Sequence, residues 1–166
     1  RLGSQMMPIR AALLLLILLA LPAHAQEPLG ESFQSDVLVI VARDACYRFE
    51  IYLAVSTQQQ QSGLMFVRDL PEWTCMLFVY GDSRYRSMWM KNTYISLDMV
   101  FARHDGSITN IAEDTVPLSE KSVTSSEPAS FVLELNAGTA RRLSIDEDSR
   151  LLWEPALQQS SKNGRD

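Results

Sequence analysis

The stretch MWMKNTYISLD, residues 88–98, holds the densest group of chemically distinctive side chains in the sequence. Side chains alternate between the two faces of a strand. As a strand, this stretch would have an apolar face with Met88 and Met90, and a second face with Lys91 beside Trp89. Such a strand can line a cleft, or it can lie at a sheet surface with the lysine stem over the tryptophan. This stretch is therefore the first candidate for a functional site.

Short runs of β-branched and aromatic residues lie on both sides of this stretch, separated by turn residues. The pair Asp105-Gly106 is typical of a β-hairpin turn. Gly81-Asp82-Ser83 is expected to end the strand before it. The predicted strands are 36–42, 47–55, 75–80, 97–102, 107–112, 130–135 and 151–153.

Two short helices are predicted between these strands. Thr57 and Gln60 have the spacing of a capping box, and Gly63 is placed to end that helix in a left-handed conformation. Asn136 is expected to cap a second helix over residues 137–143. The pattern indicates a mainly β single domain, either a β-sandwich or a partly open barrel with two short helices.

The first 25 residues have the three-part pattern of a secretory signal. Arg10 is followed by an apolar run over residues 11–21 and by the small-x-small sequence Ala23-His24-Ala25. The run is shorter than the roughly 20 residues that a membrane-spanning helix needs. Residues 1–5 are expected to be an upstream remnant. We expect cleavage after Ala25 and a periplasmic or secreted protein, with a mobile segment at 26–35, one β-rich domain at 36–154 and a mobile tail at 155–166.

The charge of the chain limits its partners. Its formal net charge is −5 and it has no run of basic residues. Such a chain is not expected to bind nucleic acid or, once the signal is removed, a membrane surface.

Several short motifs, in a fixed order, resemble an uncharacterised and mostly prokaryotic family, the domain of unknown function 192. The resemblance covers about residues 37–153 and implies a compact β-rich domain, often found behind a signal peptide, without an established activity. The sequence departs from the family pattern at Cys75, where glycine is usual, and at Glu147-Asp148, where Gly-Asp is usual. The motifs are Gly63-Leu64-Met65, Met76-Leu77-Phe78, Trp89-Met90-Lys91-Asn92-Thr93, Leu97-Asp98 and Val132-Leu133-Glu134-Leu135 with Gly138.

Few residues suit metal or nucleophilic chemistry. After signal cleavage His104 is the only histidine, and it lies beside a hairpin turn, so a catalytic triad is not favoured. No His, Cys or carboxylate cluster has zinc spacing, and no loop has calcium-binding spacing. The methionines suggest core packing rather than copper(I) ligands. We therefore expect no metal and no cofactor.

The candidate site residues are Trp89, Lys91, Asn92, Thr93, Asp98 and Glu134. If the chain turns at residues 94–96, Lys91 and Asp98 can face one cleft, or form a structural ion pair that fixes the turn. Glu134 lies within an apolar strand and needs a partner such as Lys91, Arg141 or a backbone donor.

Three functions remain open from the sequence. The first is an exported binding or accessory module of the cell envelope that takes a small polar or anionic ligand. The second is a small hydrolase or carbohydrate-active enzyme in which Asp98 and Glu134 are a carboxylate pair. The third is a protein-interaction module without a cleft.

The two cysteines, Cys46 and Cys75, both fall in the part expected to be exported, where disulfides persist. Cys46 lies at a hairpin and Cys75 begins a buried strand, where a free cysteine packs as a small apolar side chain. Two free thiols are favoured over a bridge.

Overall fold

The computed structural model describes residues 29–153, so the predicted signal segment, its cleavage site and the whole predicted tail lie outside the described residues. The described part contains three short helices and nine strands. The helices are α1 (Leu29–Ser32), α2 (Thr57–Ser62) and α3 (Thr139–Arg142). The strands are β1 (Gln34–Val41), β2 (Cys46–Ala54), β3 (Thr74–Arg84), β4 (Ser87–Met88), β5 (Leu97–Ala102), β6 (Ile108–Ala112), β7 (Val123–Thr124), β8 (Ala129–Asn136) and β9 (Arg150–Leu152).

Seven strands form one sheet in the order β6-β5-β8-β3-β2-β1-β9, and β4 pairs with β7 in a small second sheet. An isolated bridge between Ser107 and Arg150 joins the two edges of the large sheet, which is therefore a nearly closed barrel. The predicted mainly β class and the partly open barrel are confirmed. Within residues 29–153 no helix has the length and apolar character needed to cross a bilayer.

Gly106 makes the close approach at this seam possible. Its φ is +84°, and the backbone N–H of Leu151 donates to the Gly106 carbonyl at 2.9 Å. A Cβ at this position would lie 2.0 Å from the Leu151 carbonyl oxygen. Glycine is the residue that tolerates both the positive φ and this contact. The predicted Asp105-Gly106 hairpin between β5 and β6 is thus confirmed, and it also helps to close the barrel.

Each face of the sheet carries its own hydrophobic cluster. The inner cluster draws side chains from all seven strands, with Phe49 and Val100 among its members, and fills the barrel. The outer cluster includes Met76 and Met99, and it lies under loops that contribute Leu64 and Met90. Because side chains alternate along each strand, the strands β3, β8 and β5 are buried on both faces.

Four expectations about local structure need correction. The capping box of α2 is formed by Ser56 and Gln59, one residue earlier than predicted, because Ser56 has the extended backbone of a cap. Gly63 ends α2 with a positive φ of 44° but a ψ of −134°, outside the left-handed helical region. β3 continues through residues 81–83, where its pairing with β8 becomes irregular. The stretch 88–98 is mostly a loop, since β4 ends at Met88 and the chain turns at Lys91-Asn92 rather than at 94–96.

The described fold also starts before residue 36. α1 and the first two residues of β1 lie in the segment 29–35, where Phe33 is buried and Gln34 pairs with Leu53. These contacts attach the segment to the outer cluster and to β2.

Cys46 and Cys75 are both free, as the sequence favoured. Cys75 pairs with Ile51, five residues along β2 from Cys46. At about 3.3 Å per residue their Cα atoms are roughly 17 Å apart, whereas a disulfide needs about 4.4–6.8 Å. Burial raises the pKa of the Cys75 thiol well above its ordinary value.

Candidate functional site

A cavity of about 100 Å³ opens on the outer face of the sheet, where α2, β3 and the 88–98 loop meet. Its wall consists of residues 60–65, Phe78 and Tyr80 of β3, residues 87–89, Thr93, and Glu134 of β8. The cavity therefore combines a strand, a helix end and two loops that are distant in sequence.

Glu134 is the most unusual group in this wall. It pairs in register with Met76 on one side and Met99 on the other, so its side chain shares the outer face with two buried methionines. It is 4% exposed, and within residues 29–153 no hydrogen bond or ion pair reaches its carboxyl group. Because no fully enclosed side-chain oxygen in the described residues lacks a partner, the Glu134 oxygens retain contact with the cavity space. Burial raises the pKa of Glu134 from 4.5 to about 8, because the ionised form is poorly solvated there.

The partners expected for Glu134 are engaged elsewhere. The Arg141 guanidinium binds the carboxylates of Glu113 and Asp114 on the surface. The Lys91 ammonium lies 5.1 Å from the centre of the Trp89 ring, which is a cation–π contact. Glu134 is consequently a buried acid that faces a cavity without a protein partner.

Tyr80 is the second ionisable group at the cavity. Its hydroxyl donates to the Met88 sulfur at 3.6 Å, and the Arg86 guanidinium lies 3.8 Å from the centre of its ring. Burial raises the pKa of Tyr80, the nearby Arg86 charge lowers it, and Glu134 raises it. Tyr80 and Glu134 line the same cavity, so their charges can influence each other.

Two further polar side chains in the wall use their donors to hold the backbone. The Gln60 amide donates to the carbonyls of Val55 at 3.1 Å and Val79 at 2.8 Å, so it ties α2 to β3. The Thr93 hydroxyl donates to the Lys91 carbonyl at 3.3 Å. The oxygens of both side chains keep lone pairs that can accept from a ligand.

Asp98 has a structural role away from this cavity. It is fully buried, and its carboxylate accepts N–H groups from Asp114 at 3.0 Å, Gly138 at 3.1 Å and Ala140 at 2.9 Å. These bonds fix the start of α3. The expected cap, Asn136, instead donates its side-chain amide to the Leu70 carbonyl at 2.8 Å.

The register of β5 and β8 separates the two acids that were candidates for a carboxylate pair. Asp98 pairs with Leu135, and Glu134 pairs with Met99. Adjacent residues of a strand point to opposite faces, so Asp98 and Glu134 lie on opposite faces of the sheet. The expected carboxylate pair is therefore not formed. The expected unit of Lys91 with Asp98 is not formed either, since no ion pair joins them in the described part of the chain.

Three of the six candidate residues, Trp89, Thr93 and Glu134, line the cavity, while Lys91, Asn92 and Asp98 do not. Asn92 adopts a positive φ of 54°, and its amide donates to the Met65 sulfur at 3.9 Å, so it shapes the turn behind the wall. In residues 29–153 no three His, Cys, Asp or Glu side chains are grouped as metal ligands.

Gln60 and Tyr80 are site residues that the sequence did not reveal. Gln60 belongs to a glutamine run that is typical of a solvated helix face, and Tyr80 ends an apolar strand. The one signal in the sequence was that both residues lie close to the family motifs. Gln60 lies three residues before Gly63, and Tyr80 lies two residues after Phe78.

Comparison with known proteins identifies the family to which this chain belongs. The model of the domain of unknown function 192, described as an uncharacterized ACR, matches residues 39–153. The chain belongs to this family. No curated protein matches the chain.

Two solved structures are similar over most of the described residues. One is from Sinorhizobium meliloti and is described as a candidate transcription regulator. It has 40% sequence identity and a TM-score of 0.71, and the match covers 72% of this chain and 94% of that one. The other is a protein of unknown function from Novosphingobium aromaticivorans with 31% identity and a TM-score of 0.70, covering 72% of this chain and 85% of that one.

The motifs that carry the family resemblance converge on the cavity. Gly63-Leu64-Met65, Phe78, Trp89 with Thr93, and Glu134 come from four separate motifs, and all of them line it. The fifth motif, Leu97-Asp98, lies away from the cavity, where the Asp98 carboxylate accepts the Ala140 N–H and fixes the start of α3.

Proposed function

We propose that this domain is an exported ligand-binding module of the cell envelope and that the cavity at Glu134 is its ligand site. The observation that carries the proposal is the buried Glu134 carboxyl group, which lines the cavity without a hydrogen bond or ion pair in residues 29–153. Burying an acid without a partner costs free energy. A protein that retains such a group beside an open space can recover this cost when a ligand supplies the partner.

The size of the cavity limits the ligand. Pockets for drug-sized molecules measure about 300–1,000 Å³, whereas this cavity measures about 100 Å³. We therefore propose a small polar ligand, or the polar end group of a larger one. Trp89, which is 48% exposed at the rim, offers a surface for the remainder of a larger ligand.

The structure gives the two competing functions less support. Asp98 and Glu134 lie on opposite sheet faces, which does not suit a carboxylate-pair hydrolase. An interaction module without a cleft does not explain the convergence of four motifs on a cavity. The regulatory description belongs to the Sinorhizobium meliloti protein, and a formal net charge of −5 does not favour contact with DNA phosphates here.

The ligand site can be tested by amide chemical-shift mapping with defined small amines, sugars and carboxylic acids. We expect at least one class to shift the amides of residues 62–65, 87–93 and 134 together in a saturable way. Ser87→Trp should fill the cavity mouth and abolish the shifts, while Ser83→Trp, on an exposed part of β3 away from the cavity, should preserve them. Shifts that persist in Ser87→Trp, or saturable shifts confined to another surface, would refute this site.

The proposed export rests on the signal-like pattern of residues 1–25. Mass spectrometry of protein from the native compartment should give Gln26 as the first residue. Intact cytoplasmic protein that retains Met6 or Met7 would contradict export.

A further inference from the structure

We infer that the cavity at Glu134 takes a primary ammonium group, either of a small amine or at the end of a longer molecule. This inference rests on the proposed ligand site and narrows the ligand from polar to cationic. Two features of the wall favour an ammonium group: the hydrogen-bonding atoms that remain available and the charges of the lining residues.

Several polar groups in the wall keep free acceptor atoms, while the unused side-chain N–H and O–H donors of the wall's neutral residues belong to the exposed Gln61, Ser87 and Trp89. The Tyr80 hydroxyl proton points to the Met88 sulfur, and the Thr93 hydroxyl proton points to the Lys91 carbonyl. The Gln60 amide group donates to backbone carbonyls, which leaves its oxygen free of a donor in the described residues. Lone pairs therefore remain on these oxygens and on the Glu134 carboxyl group. A ligand that donates several hydrogen bonds satisfies them, and an ammonium group has three N–H donors.

The charges in the wall favour the same class. Among the cavity-lining residues, all within the described part of the chain, Glu134 is the one carboxyl group, and none is lysine, arginine or histidine. An anionic ligand would lose its hydration without gaining a countercharge from any of these residues. An ammonium group gains both donors for these oxygens and an ion pair with Glu134.

The nearby cations are turned away from Glu134. The Arg86 side chain donates to the Ala129 carbonyl at 2.9 Å and to Asp82 while it lies over the Tyr80 ring. Lys91 lies over the Trp89 ring. The residues that flank Glu134 on β3 and β5, Met76 and Met99, are neutral. Tyr80 is the remaining titratable group near Glu134.

Binding of an ammonium group should release a proton. In the free protein the pKa of Glu134 is about 8, so the group is mostly protonated at pH 7. The reaction is Glu134–COOH + R–NH₃⁺ → Glu134–COO⁻·⁺H₃N–R + H⁺, with no covalent bond formed to the ligand. The affinity should therefore increase with pH up to about 8 and level off only above that pH, where Glu134 is already ionised in the free protein.

Isothermal titration calorimetry with three matched probes tests this inference: n-butylammonium, 1-butanol and butyrate. We expect n-butylammonium to bind with release of close to one proton at pH 7, measured from the heats in phosphate and HEPES buffers, neither of which contains a primary ammonium group. Glu134→Gln should weaken this binding at least tenfold and remove the proton release. Glu113→Gln, on an exposed acid that pairs with Arg141, should leave both unchanged.

The probes separate this inference from the proposed site. If 1-butanol or butyrate binds more tightly at residues 62–65 and 87–93, the ammonium inference is overturned while the ligand site stands. Binding of n-butylammonium that is unchanged in Glu134→Gln also overturns it. If none of the three probes binds, the ammonium inference fails, and the proposed site is decided by the chemical-shift mapping with sugars and other acids.

Discussion

Two acids on the neighbouring strands β5 and β8 are buried for different reasons. Asp98 is surrounded by three backbone N–H donors that stabilise its charge, while Glu134 lies among methionines beside a cavity. A carboxylate that accepts several N–H bonds is a stabilising element, and one without donors is costly to bury. At the scale of single residues, the first acid therefore supports the fold and the second is available for a ligand.

Asp98→Asn should destabilise the domain by about 3 kcal/mol, because the amide loses the charge and directs N–H groups at backbone donors. Urea denaturation followed by circular dichroism measures this change. Asp114→Asn is the matched control, since its exposed side chain pairs with Arg141 and its loss should change stability little. A loss of ligand binding in Asp98→Asn at unchanged stability would contradict the structural role.

Both acids were identified from the sequence as candidate site residues, but the sequence did not show that they lie on opposite faces of the sheet. An acid within an apolar strand is visible in the motif Val132-Leu133-Glu134-Leu135, and Leu97-Asp98 is equally apparent. Their separation depends on the β5–β8 register, in which Asp98 pairs with Leu135. A shift of one residue would have put both on one face, and sequence patterns do not fix pairing at this precision.

At the scale of elements, the cap of α2 positions one wall of the cavity. The Ser56 hydroxyl accepts the Gln59 N–H at 3.2 Å, and the Gln59 side chain accepts the Ser56 N–H at 3.0 Å. Ser56→Ala should cost about 1 kcal/mol in the free energy of unfolding. Thr57→Ala, at the first helical residue, should be neutral or slightly stabilising because alanine favours helix. Urea denaturation measures both changes. A larger loss of stability in Thr57→Ala than in Ser56→Ala would contradict Ser56 as the cap.

Elements with strong local signals were predicted well, and those without them were not. The β1–β2 hairpin, the buried strands and the Asp105-Gly106 turn follow from alternation and turn chemistry. The 88–98 stretch was considered as a strand because its large residues suit one, but residues 89–96 are not in a strand. Instead it covers the outer face of the sheet, with Met90 buried beneath and Asn92 in a left-handed turn. Tertiary packing decides such a segment.

At the scale of the whole molecule, Glu134 should make stability depend on pH. Its pKa is about 8 in the folded protein and about 4.5 when exposed, so between these values the folded state binds more protons. The free energy of unfolding should therefore decrease as pH rises from 5 to 8, by at most about 1.4 kcal/mol per pH unit from this group. Urea denaturation of the wild type and of Glu134→Gln measures this difference. Equal slopes in the two proteins would argue against the raised pKa.

Other acids act outside this range. The pKa of Asp82 is lowered chiefly by its hydrogen bond from Arg86, and that of Asp105 by its hydrogen bond from Ser107. Stability that depends on a lowered carboxyl pKa is lost only at more acidic pH. The difference in slope between the wild type and Glu134→Gln from pH 5 to 8 is thus a measure of Glu134.

The barrel and the family were predictable because the alternation and the motif order extend over most of residues 39–153. The cavity was not predictable from the sequence. It forms where α2, β3, the 88–98 loop and β8 meet, so no single segment contains the pattern that defines it.

The most direct test of the account is the titration of the Glu134 carboxyl carbon by ¹³C nuclear magnetic resonance in the ligand-free protein, assigned by comparison with Glu134→Gln. A buried acid without a protein partner should titrate with a midpoint of about 8. A midpoint near the ordinary value of 4.5 would show that Glu134 is solvated or paired within the protein, and would contradict the proposed ligand site.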